Sequence, residues 1–144
     1  MRIDSLNSII KLKEWRKEEI SIQVKKIQKL IEQHEQSIRE LEDEFEKNLA
    51  EFRRNTLNKV VTAEALRIQH DFIEHLTRKV KEQKDALMSR IEELKETRSR
   101  LTDAHKEEKL VKKLKTKHAD RTIKNIRIKE QKVIDDISIK RYRR

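Results

Sequence analysis

Glycine, proline and cysteine are all absent from this chain of 144 residues. Ordinary usage would supply roughly ten glycines and seven prolines at this length, so almost nothing in the sequence breaks a helix. Without cysteine there is no disulfide framework, thiol nucleophile or cysteine metal site. Without glycine there is no phosphate-cradling loop. Aromatic residues make up 3%, and Tyr142 is the only one in the basic C-terminal stretch, a poor supply for base stacking. No stretch approaches the about eighteen apolar residues of a membrane span, and Met1 to Glu14 lacks the apolar block of a signal peptide. A soluble cytoplasmic protein is the expectation.

What is present is charge and periodicity. Charged residues are 44%, apolar residues 34%, and the mean hydropathy is −1.00. Such a chain cannot bury a wide core, but its apolar third is periodic, which is the composition of a long helix or coiled coil rather than of disorder. In the first half Ile3, Leu6, Ile10, Lys13, Lys17, Ile20, Val24, Ile27, Ile31, His34, Ile38, Leu41, Phe45 and Asn48 step by three and four without a slip. That is a heptad seam. A second seam runs through Leu66, Gln69, Ile73, Leu76, Val80, Gln83 and Leu87. It then takes one four-residue stutter and continues through Ile91, Leu94, Arg98, Leu101 and His105.

The two seams mirror one another about Lys59. Phe45 with Ile73, Ile38 with Val80, Ile31 with Leu87, Ile27 with Ile91 and Val24 with Leu94 have residue numbers adding to 118 in every case, and Leu41 with Leu76 misses by one. An antiparallel hairpin requires this agreement, because each knob must meet a hole at its own height. The same register sets His34 near Lys84, Ile20 near Arg98, and the acidic run Glu40, Glu42, Asp43, Glu44 and Glu46 opposite Arg78 and Lys79, as exposed ion pairs rather than a cation site. Asn55, Thr56, Asn58, Val60, Val61 and Thr62 form the poorest helix-forming window in mid-chain, and Thr62 can cap the helix that follows. The expected fold is all-α, a long two-helix antiparallel coiled-coil hairpin with an overhanging C-terminal helix. It forms one elongated domain over 1–144, with helix 1 at about 3–56, a turn at about 57–62 and helix 2 at about 63–140. Arms of some 55 residues would reach about 80 Å.

The net charge of +10 is a tail property. Residues 1–105 hold 22 basic and 21 acidic side chains, whereas residues 106–144 hold 15 and 6, a net of +9. By the mirror the helix has no partner in this chain after about residue 118. It still carries Ile123, Ile126, Val133 and Ile137 at three and four spacing among Lys129 and Lys132, and such a stripe should dock on something else; pairing with a second copy is the plainer alternative. Phe72 sits just before seam residue Ile73. With Leu76, Lys79 and Gln83 it makes one helical stripe, an anchor for a partner or a cover for the hairpin's flank near Phe45. Trp15 lies off the seam, as interface tryptophans do, or lies across the pair near residue 103.

A two-helix coil offers no pocket for catalysis, so no enzyme, catalytic residue, cofactor or metal site is expected. His70 and His75, five apart and about 140° around a helix, cannot chelate as an i, i+4 pair; His34 and His105 are seam positions, and His118 lies in the basic run. Nucleic acid is the rival partner suggested by a pI near 9.8, but a basic segment following an antiparallel hairpin does not have the basic-zipper order.

The break near position 60, the segment Phe72-Ile73-Glu74-His75-Leu76 leading to Val80 and Gln83, and the tail Lys129-Glu130-Gln131-Lys132-Val133-Ile134-Asp135-Asp136 together resemble the flagellar FliJ family over nearly the whole chain. Lys79 departs from the family stripe, where a small residue suits better. The resemblance implies a cytoplasmic component of the flagellar type III export apparatus, peripheral at the inner face of the inner membrane. It further implies a stalk-like coiled coil that enters a hexameric export ATPase and promotes its assembly, binds the export-gate membrane protein and escorts export chaperones. An injectisome counterpart would share this architecture.

Overall fold

The computed structural model describes residues 2–58 and 61–142. Two helices account for nearly all of them: α1, Ile3–Asn58, and α2, Ala63–Tyr142. There is no strand among the described residues. Each helix ends two residues beyond its expected limit. The mirror centre, Lys59 with Val60, lies outside the described residues.

Thr62 starts α2 as the sequence suggested. Its Oγ1 accepts from the Ala65 N–H at 3.2 Å, which satisfies one of the amide groups that a helix start leaves without partners, and its carbonyl accepts the first regular helical bond, from Leu66 N–H at 3.1 Å. Glu64 adds a negative charge in the first turn.

The chain divides into two compact units, Ser21–Ser99 and Met1–Ile20 with Arg100–Arg144. Within Ser21–Ser99 the helices run antiparallel: Asn55 bonds Gln69 at 3.2 Å and His34 bonds Gln83 at 2.9 Å, so lower numbers on α1 meet higher ones on α2. Val24, Ile27, Ile38, Ile73 and Leu76 are buried there. Within the other unit Lys17 meets Glu108 at 2.7 Å and Lys13 meets Glu107 at 2.9 Å, while Leu6, Ile10, Ile20 and Ala104 are buried. Every expected seam position of α1 is buried or half-buried except Ile3, which is 39% exposed.

The α2 seam differs from the expected one. There is no stutter after Leu87. Ile91 is 45% exposed, and Arg98 and His105 are exposed; the covered positions are Arg90, Leu94 and Thr97 in one unit, and Leu101, Ala104 and Glu108 in the other. These continue the three-four alternation unbroken, which a left-handed coil favours because a stutter locally unwinds it. Thr97 is fully buried and donates its hydroxyl to Glu93 O at 2.7 Å, so its one polar atom is satisfied within its own helix. Thr97 and Ala104 are small enough for two helices to approach, whereas Arg90 keeps its guanidinium at the rim on Glu93, 2.8 Å away. The register shifts accordingly: His34 pairs with Gln83 and not Lys84, and Lys84 pairs with Glu42 at 3.0 Å.

Leu76 is 2% exposed, so Leu76→Ala should cost about 2–4 kcal/mol in urea unfolding followed by circular dichroism. Ile91→Ala should change stability by no more than about 0.5 kcal/mol. Comparable losses for the two would restore the stutter.

Candidate partner-binding surface

Of the Phe72 stripe, two members turn away from solvent. Leu76 is buried in the seam, as the heptad count places it. Gln83 is half-buried, its Oε1 accepting from His34 Nδ1. A buried polar pair of this kind fixes height and register rather than recruiting a partner. Phe72, 40% exposed, and Lys79 stay on the surface. The Phe72 ring lies 6.4 Å from that of His75, one turn along the same helix. Spacing alone merged the two groups because four residues turn about 40° past one full turn, and the seam edge runs between Phe72 and Leu76.

Trp15 is 62% exposed and borders an open cleft with Glu14, Glu18, Glu108 and Lys112, near α2 residues 108–112 rather than 103. Ile123, Ile126, Val133 and Ile137 are 50–57% exposed, and Lys129 and Lys132 are exposed too. Every described residue from Asp120 to Tyr142 is exposed. The helix there presents all its sides.

The strongest electrostatic feature is one that hydropathy could not single out. Glu108 is a seam residue 4% exposed. Lys112 Nζ donates to its Oε1 at 2.7 Å, and Lys17 Nζ stands 2.7 Å from Oε2. The Lys17 contact lacks hydrogen-bond alignment, yet at that separation the charge attraction holds whatever the angle. Lys112 also reaches Glu14 at 3.4 Å, and Lys13 donates to Glu107 at 2.9 Å. The hydrogen bond from Lys112 and the close ammonium of Lys17 outweigh desolvation and hold the Glu108 carboxyl down at about 2; the hydrogen bond from Lys13 likewise lowers Glu107. The same contact with Glu108 raises Lys112. A carboxylate buried without these cations would be costly, so the sequence signal was available: an acid on a seam position with Lys four residues on and Lys17 on the facing seam.

A group of one histidine and two acids also forms that the histidine spacing did not anticipate. His70, Asp71 and Glu74 bring ligand atoms within 4.8 Å, all on the exposed surface of α2, with His70 3.8 Å from Asp71 and 3.9 Å from Glu74. Acids beside a histidine at i+1 and i+4 are common on solvated helices and define no site.

No helix among the described residues is long and apolar enough to cross a membrane. The surface offers open clefts and exposed stripes on two long helices that pack against each other, and this is the class of the helical, coiled-coil-like proteins. The profile of the Flagellar FliJ protein family matches residues 1–144, the whole chain. The chain therefore belongs to the FliJ family, which assigns it to the flagellar type III export apparatus. No curated protein matches it, and no solved structure does.

Glu108 has its folded pKa depressed, so its contribution is fully present above the unfolded value, near 4.5, and is lost as pH falls toward about 2. In thermal melts across that window the wild type should lose stability more steeply than Glu108→Gln, which should already be the weaker at pH 7. Parallel profiles would show that water screens the ion pairs and that they contribute nothing.

Proposed function

We propose that this chain is the stalk of the flagellar export machine. In this reading the segment after about residue 118 overhangs the helix pair and enters the pore of the hexameric export ATPase, promoting ring assembly and activity. The protein acts by binding, without catalysis of its own and with no cofactor. Phe72 and Lys79, which stay exposed, are left for the export-gate membrane protein or an export chaperone, and Trp15 for a second contact near the same end as the tail. Association with the membrane face is then peripheral, through the gate.

One observation carries the reading. From Asp120 to Tyr142 the apolar side chains are exposed to the same extent on opposite sides of the helix: Ile123, Ile126, Val133 and Ile137 at 50–57%, Ile128 and Ile139 at 47–53%. The last two lie about 140–160° around from Ile123 at 100° per residue. A helix that docks on one flat partner keeps one apolar stripe. Apolar residues on both sides, among Arg121, Lys124, Arg127, Lys129 and Lys132, suit a partner that encircles the helix and presents acids to it. Duplex DNA would take the charge but has no use for isoleucines on two sides.

The cognate export ATPase should be stimulated and driven into rings by the full chain, and not by the chain cut after His118. Unchanged stimulation on truncation removes the tail from the role. Tight duplex binding at physiological salt without any effect on the ATPase overturns the stalk reading.

A further inference from the structure

We infer that the side of α2 bearing Leu110, Leu114, Lys117 and Arg121 is a docking face for an acidic amphipathic helix of a partner protein, one apolar side chain of which seats in the cavity against Leu6.

The four residues are spaced i, i+4, i+7 and i+11, a single stripe of the helix. Leu110 is 63% exposed and Leu114 51%. Two leucines one turn apart, left open beside a helix pair that had its own apolar seam to fill, mark a contact surface. Next to them Leu6, Leu114, Lys117, His118 and Arg121 line a cavity of about 260 Å³. That is below the roughly 300–1,000 Å³ of small-molecule pockets and right for one large apolar side chain. Leu6 is 4% exposed, so the cavity floor is already part of the core, and a side chain entering it would extend that core.

Charge names the occupant. The clefts beside Trp15 and Leu41 carry both signs. This cavity is lined by bases and leucines only. The run from Lys109 to Lys117 holds five lysines and no acid. The acids of the preceding turn, Glu107 and Glu108, are already held by Lys13, Lys17 and Lys112, and the one acid from Lys109 to Lys129 is Asp120, against nine lysines and arginines, so the face stays basic. A helix with leucines on one face and glutamates or aspartates beside them meets both demands, with Lys117 and Arg121 placed for carboxylates at the rim. The isoleucine segment beyond Asp120 is basic and is repelled by this face, which argues against a second copy as the occupant.

The test uses the full chain and a labelled synthetic helix with leucines at i, i+3, i+4 and i+7 and glutamates elsewhere, read by fluorescence anisotropy. Its lysine counterpart and vesicles of phosphatidylglycerol in phosphatidylcholine serve as competitors for the interpretation. The glutamate helix should bind, less tightly as salt rises. Leu114→Asp and Arg121→Glu should each weaken it about tenfold or more without altering the thermal melt, since both side chains point outward. Lys129→Glu should leave binding within about twofold, because that residue is outside the face. The inference is overturned if the glutamate helix does not bind, if the lysine helix binds as well, if Lys129→Glu weakens binding as much as Arg121→Glu, or if the vesicles and not the helix show the dependence on Leu114 and Arg121.

Discussion

Two helices side by side can bury only one stripe each, and everything in this protein follows from how that stripe is filled. Each turn contributes one or two side chains to the interface, so no residue is covered by a second layer and the burial of one leucine cannot be replaced by a neighbour's. This explains why the three-four alternation is kept so strictly: a single slip would rotate every later side chain out of the only apolar environment available. It also explains how a chain with 44% charged residues folds at all, since nine-residue stretches need supply only two or three apolar groups.

The narrow seam makes its polar members decisive. Among residues 21–99 the polar members that bond across the helices are uncharged, His34 with Gln83 and Asn55 with Gln69, and such pairs set height at small cost because each polar atom finds its complement. In the unit formed by 1–20 with 100–144 they are ionic. Lys13, Lys17 and Glu108 occupy seam positions, and the outward-lying Glu14, Glu107 and Lys112 close the network around them. An apolar seam would have been as stable or more so. What the ions contribute is discrimination, since a register shifted by one heptad would set Lys17 against a residue other than Glu108 and leave a carboxylate buried without its cation.

The α1 seam and the Thr62 cap were legible from spacing and residue type, because on α1 the apolar residues themselves mark the buried face. On α2 they do not. Ile91 is apolar and exposed, whereas Thr97 and Glu108 are polar and covered, so a rule that follows hydropathy leaves the true path at Leu87 and invents a stutter. Following the heptad count instead, and treating Thr97 and Ala104 as the small residues a close approach needs, would have kept the path. The Phe72 stripe failed for the related reason that a four-residue step drifts across the seam edge: Leu76 and Gln83 belong to the hairpin and Phe72 and Lys79 to its surface. The Glu108 network was readable only once the facing residue on α1 was known, which needs the register first.

The exposed end of α2 has a different relation to the rest. Its seven β-branched aliphatic residues, Ile123, Ile126, Ile128, Val133, Ile134, Ile137 and Ile139, are middling helix formers, and a free peptide of that length would be marginal in water because nucleation is unfavourable. Here nucleation has already happened. The segment continues a helix whose earlier turns are locked by the seam, so each further residue needs only propagation. The packed part of the protein thereby holds the exposed part in a helical conformation, so that binding to it would not require the backbone to be ordered first. The strict seam is thus the reason that a segment with no seam of its own can be presented as a helix.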